Sequence, residues 1–63
     1  MTRLKMLNIG QTFSYNNQDY KFTKQAVKDG KLMYYCESLT DKNKIKYLTG
    51  EEVVIPYLWT QKI

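Results

Sequence analysis

From Gln11 onward the chain alternates polar and bulky apolar residues with a period of two, the spacing of strands that bury one face. Gln11-Thr12-Phe13-Ser14-Tyr15, entered through Ile9-Gly10, predicts a first strand with Phe13 and Tyr15 turned inward. Tyr20 to Val27, Leu32 to Leu39 and Ile45 to Leu48 predict three more. In these, Tyr20-Phe22, Leu32-Tyr34-Cys36 and Ile45-Tyr47 fall on one side, which is assigned to the core. Lys21-Thr23-Gln25, Met33-Tyr35-Glu37 and Lys44-Lys46-Leu48 fall on the other, a basic face with an aromatic in its middle.

The segments between these runs are turn chemistry. Asn16-Asn17-Gln18-Asp19 suits a reversal because Asn and Asp tolerate positive φ and bond to their own backbone. Asp29-Gly30 is the strongest turn signal, since Asp-Gly fits a type I′ hairpin. Asp41-Lys42-Asn43-Lys44 is a third polar reversal. Thr49-Gly50-Glu51-Glu52 matches a capping box, in which Thr49 and Glu52 satisfy each other's backbone donors. Pro56 disfavours helix at Ile55, so the helix this box starts is limited to about one turn. Val53 and Val54 then plug the end of the sheet, and Pro56 to Thr60 reads as a last extended segment. Residues 1–8 form a lead-in and residues 55–63 a C-terminal strand or tail, so residues 1–63 make one domain. The expected class is all-β with at most one short helical turn. It is either a small, strongly bent antiparallel sheet or a five-stranded barrel, closure being the easiest way for so small a sheet to hide its edges.

This string of elements resembles the small Src-homology-3-like barrels of phage and prophage proteins. The resemblance is carried by Ile9-Gly10, Phe13, Tyr15, Tyr20, Phe22, Asp29-Gly30, Tyr34 and Thr49-Gly50-Glu51-Glu52-Val53, and it spans roughly Leu7 to Val54. Such barrels bind nucleic acid, peptides or protein surfaces, and some phage versions inhibit host enzymes. The resemblance therefore implies a binding function. The abundance of Lys, Asn, Tyr and Ile, whose codons are AT-rich, fits small phage genes as well as AT-rich bacterial ones.

Composition narrows the chemistry. With 63 residues the chain buries only about 60% of its unfolded surface, so it needs a dense core or a shared one. Cys36 is the single cysteine and there is no histidine, which excludes an internal disulfide and the usual zinc site. The Ser-His and Cys-His nucleophile pairs are excluded with it. Cys36 runs in phase with Leu32 and Tyr34, the place of a small core residue. Adjacent Glu51 and Glu52 diverge and cannot flank one substrate, and no Gly-rich phosphate loop is present. These absences point to a non-enzymatic protein that uses no cofactor or metal. No apolar run approaches the ~20 residues of a membrane span, and the N-terminus lacks the apolar core of a secretory signal. A lone thiol suits the cytoplasm, which is the host's cytoplasm if the gene is phage-borne. The formal charge of +4 favours an acidic partner. Arg3 is the only arginine, which disfavours base-specific DNA reading.

Two candidate surfaces follow. The run Val54-Ile55-Pro56-Tyr57-Leu58-Trp59 is the most apolar in the chain, and both of its sides are apolar. A small core cannot take both, which leaves Tyr57 and Trp59 for a partner or a second copy. Lys21, Lys44 and Lys46, with Tyr35 and Met33, form the basic face, a surface able to hold single-stranded nucleic acid or an acidic protein. Free sheet edges offer strand addition. The leading expectation is a protein-binding module, a phage-encoded inhibitor or modulator of a host complex acting through Tyr57, Trp59, Tyr35 and Met33. A sequence-tolerant nucleic-acid-binding small barrel and a homo-oligomeric structural or accessory protein, a homodimer among the options, are the alternatives.

Overall fold

The structure is a computed structural model that describes residues 1–57. Six strands form one antiparallel sheet: β1 Thr2–Arg3, β2 Thr12–Tyr15, β3 Gln18–Lys28, β4 Lys31–Ser38, β5 Ile45–Leu48 and β6 Val53–Pro56. Their order is β1-β6-β2-β3-β4-β5. The all-β expectation holds, and the bent sheet is the form it takes. The closed barrel is not formed, since β1 and β5 are edges that do not pair with each other.

Two tight turns set the register. Asn16 and Asn17 have φ of 52° and 64° between the paired Tyr15 and Gln18. Asp29 and Gly30 have φ of 53° and 76° between the paired Lys28 and Lys31. Positive φ at both central residues is the type I′ pattern, which matches strand twist. The bend comes from irregularities on both sides of β3 at one point. Gly10, with φ of 96°, donates its N–H to the Phe22 carbonyl, while the Phe22 N–H donates to the Gln11 carbonyl. Two residues thus oppose one. On the other side, Thr23 is an extra residue between the pairs Phe22–Cys36 and Lys24–Tyr35. Its hydroxyl donates to the Tyr35 carbonyl at 3.1 Å. Bulges of this kind kink a strand and increase its twist.

The core is Leu4, Leu7, Phe13, Tyr20, Phe22, Tyr34, Cys36, Leu48 and Val54. Phe13 stacks on Tyr20 at 5.8 Å and Phe22 tilts against Tyr34 at 5.0 Å. Phe13, Phe22 and Leu4 are fully buried. Each contributes roughly 1.5–3 kcal/mol from removal of its side chain from water.

Three expectations fail here for identifiable reasons. Residues 1–8 are not a passive lead-in. Thr2–Arg3 pairs with β6, Leu4–Met6 forms a 3₁₀ turn, and Leu4 and Leu7 enter the core. The Thr49–Glu52 stretch is a turn rather than a helix start, with the Glu52 N–H donating to the Thr49 carbonyl at 3.3 Å. The Glu52 side chain accepts instead from the Tyr15 hydroxyl at 3.0 Å, and Val53–Pro56 becomes a strand. Leu32, assigned to the core, is 50% exposed, and its partner Val27 is 72% exposed. The long β3–β4 hairpin runs past the end of the core, so these tip residues have nothing to pack on.

Candidate functional site

Strand β5 lies in the opposite phase to the one its sequence suggests. Leu48 pairs with Tyr34 and enters the core, so Lys46 pairs with Cys36 on the inner side of the sheet. Ile45 and Tyr47 pair with Glu37 and Tyr35 on the outer side, and both are exposed. A strand reading Ile-Lys-Tyr-Leu has one large apolar residue too many for either face. Leu48 goes inward because it adjoins Tyr34 and Phe22, where the core is deepest.

This phase splits the expected basic face. Lys21 stays outside, directly opposite Glu37 across the β3–β4 ladder. Lys44 and Lys46 lie on the inner side, where they line an open groove of about 560 Å³ with Asn16, Gln18, Tyr20, Asn43 and Ile45. Lys21, Tyr35, Lys44 and Lys46 therefore do not form one surface.

In its place the outer side gathers a cluster that the sequence did not show. Tyr35 and Tyr47 meet edge to face with ring centroids 5.2 Å apart. The Lys24 ammonium lies 4.9 Å from the Tyr35 ring and the Lys28 ammonium 4.0 Å from the Tyr47 ring. Met33 precedes Tyr35 by two on the same face, opposite Ala26, and Ile45 precedes Tyr47 by two. The Thr23 bulge is what brings Lys24 to this face, by shifting the alternation of β3 by one residue. Without a bulge, Lys24 and Lys28 would point to the inner side. The legible signal was the register: counting back from the Asp29-Gly30 turn pairs Lys24 with Tyr35 directly.

Tyr57 is 43% exposed at the end of β6 and is held in place. Its N–H donates to the Thr12 carbonyl at 3.1 Å and its hydroxyl to the Asp19 carboxylate at 2.5 Å. That hydrogen bond to Asp19, followed by partial desolvation, raises the Tyr57 pKa. Trp59 lies outside the described residues.

The other perturbed groups are tied into the fold by burial and hydrogen bonds. Burial pushes the Cys36 thiol up to about 12, the direction expected of a thiol packed in the core. The Tyr15 pKa is raised because its proton is shared with the Glu52 carboxylate. The Glu51 carboxyl is lowered first by the hydrogen bond from Lys5. Among the described residues no group of His, Cys, Asp and Glu could hold a metal ion. No helix among them is long and apolar enough to cross a membrane.

The outer cluster combines apolar and charged groups. Its rings and its methionine give apolar contact, and its lysines give a basic rim. Comparison with known proteins leaves the reading to the geometry: no family model matches the chain, and neither a curated protein nor a solved structure matches it.

Proposed function

We propose that this chain is a non-enzymatic protein-binding module whose working surface is the outer face of β4 and β5. One observation carries the reading. Met33, Tyr35, Tyr47 and Ile45 are contiguous on that face and at least partly open to solvent, with Lys24 and Lys28 over the two rings. An aromatic and apolar centre with a charged rim is the anatomy of a protein interface, and tyrosine dominates such centres. Eleven large apolar residues are exposed among those described, against nine buried in the core, so the chain has apolar surface beyond what its core uses. The resemblance to phage barrels makes a host protein or complex the expected partner, met in the cytoplasm, with the module acting as inhibitor or modulator.

The test is capture from native host lysate with wild type and with a Tyr35→Ala, Tyr47→Ala variant, both after nuclease treatment. A protein retained by wild type and lost by the variant supports the reading. Equal retention by both contradicts it.

A second reading rests on the same Tyr–Lys cluster. Rings flanked by ammonium groups can stack on bases and follow phosphates. It predicts binding to a labelled single-stranded oligonucleotide that weakens steeply between 50 and 200 mM salt, as counterion release requires. No binding at low salt removes it.

A further inference from the structure

The edge of β5 carries a consequence beyond the outer face. The Ser38 N–H donates to the Lys44 carbonyl at 3.1 Å while the Lys44 N–H turns back to the Asp41 carbonyl, so Ser38–Lys44 is a hydrogen-bonding position of the ladder with one of its two bonds made. Antiparallel ladders alternate bonded and non-bonded pairs. Cys36–Lys46 and Tyr34–Leu48 are therefore bonded as well, and the backbone groups of Ile45 and Tyr47 point away from β4. Among the described residues no strand takes them up, since β5 ends the sheet. β5 has no proline and its register with β4 has no bulge, so what guards this edge is its four-residue length and the inward-pointing Lys46, a charge that an acidic strand would meet rather than be repelled by. The groove of Lys44, Lys46 and the three carboxamides of Asn16, Gln18 and Asn43 lies on the inner face, lined on one side by the start of β5 and on the other by the β2–β3 turn. It contains two ammonium groups and no carboxylate.

We propose that β5 is a docking edge for an extended acidic segment of a partner protein, which adds a strand beside it. This deepens the protein-binding reading and rests on it. Period-two alternation fixes the pattern the incoming strand must have. Its residues on the inner side meet Lys44 and Lys46, and its residues on the outer side meet Ile45 and Tyr47. The matching segment alternates Asp or Glu with Val, Ile or another apolar residue. Main-chain bonds to Ile45 and Tyr47 hold it, and the alternate side chains select it.

The other occupants fit less well. A second copy pairing antiparallel through β5 places lysine beside lysine on the inner side, and like charges directly opposite are destabilising. The chain's own residues 58–63 carry Lys62 and no acidic side chain.

The experiment uses the full chain and a fluorescent seven-residue peptide of alternating Glu and Val, with a scrambled peptide of equal composition and a third N-methylated on the edge facing β5. Anisotropy reports binding, and residue-resolved amide exchange reports its place. The expected result is binding by the alternating peptide alone, with new protection at the Ile45 and Tyr47 amides. A Lys44→Glu, Lys46→Glu variant, which changes only exposed side chains, weakens binding about tenfold. Four results overturn the proposal: equal binding of the scrambled or the N-methylated peptide, no binding at millimolar peptide, Ile45 and Tyr47 amides already protected without peptide, or self-association that the Lys44→Glu, Lys46→Glu variant leaves intact and that blocks the peptide. If the Tyr35 and Tyr47 side chains still capture a protein while the peptide does not bind, the edge proposal falls and the outer-face reading stands.

Discussion

The two ends of the sheet are built differently. At the β1–β6–β2 end every element is tied down. The Leu4 N–H donates to the Glu52 carbonyl at 2.9 Å and the Lys5 N–H to the Gly50 carbonyl at 3.0 Å, so the N-terminal turn clasps the β5–β6 loop. Leu4, Phe13 and Val54 are buried beneath it. Glu51 accepts from Lys5 at 2.7 Å, and Arg3 lies close to the same carboxylate. At the β5 end only Leu48 is buried, and Ile45, Lys46 and Tyr47 are exposed. A chain of 63 residues has one small core to spend on stability. That core draws on every strand from β2 to β6 along the inner face, while the outer-face side chains of β5 and the backbone groups of its edge stay available for a partner. Stability and binding therefore separate in space, and substitutions at the two ends should have opposite profiles.

The largest effect should come from the clasp. Leu4→Ala empties a fully buried site and is expected to cost about 2–5 kcal/mol, enough to unfold much of so small a domain. Thermal melts followed by circular dichroism would show it. A loss below about 0.5 kcal/mol would mean the N-terminal residues are a loose lead-in after all.

Gly50→Ala comes next. A Cβ at Gly50 would sit 2.9 Å from the Lys5 Cβ and 3.0 Å from the Tyr34 ring. One of these must move, at a cost of about 1–3 kcal/mol typical of overpacking, which chemical denaturation would measure.

At the open end, Tyr47→Ala removes an aromatic pair from the outer face and should cost only about 0.5–1.5 kcal/mol. Its binding effect should far exceed its stability effect. That split is the sharpest contrast with Leu4→Ala.

The pH dependence is smaller still and belongs to the clasped half. The Tyr15 and Tyr57 hydroxyls donate to Glu52 and Asp19, and both pKa values are raised. Stability from a raised group is present below the ordinary tyrosine value of about 10 and is lost as pH rises through the folded value. Unfolding should become easier above about pH 10 in wild type, and Tyr15→Phe should flatten that limb of a denaturation-versus-pH curve. Glu51 runs the other way. Its depressed pKa gives stability that is present above the unfolded value and is lost as pH falls through the folded one. The pair is exposed, so Glu51→Gln should give the least change of all, and one that disappears in salt.

The sequence showed the fold better than the site. Alternation placed Tyr20, Phe22, Tyr34 and Cys36 correctly, and Asn16-Asn17 and Asp29-Gly30 marked both hairpins, because period and positive φ are local properties. The outer cluster depends on Thr23 and on the phase of β5, and neither is local. A bulge is chosen by the strand on the far side of the ladder. A four-residue strand with apolar residues on both faces takes its phase from the core it meets. The choice between bent sheet and barrel was open in the sequence for a related reason: the N-terminal residues that pair with β6 look like an ordinary tail until Leu4 and Leu7 are seen in the core.

The most direct test of the separation between the ends is site-specific photo-crosslinking in native host lysate. A photoreactive phenylalanine analogue is placed at position 47 on the open end or at position 6 on the clasped end, where Met6 is the more open to solvent, 64% against 38%. The account predicts a discrete, nuclease-resistant protein adduct from position 47 and none from position 6. An adduct from position 6 alone, or the same adduct from both, would contradict it.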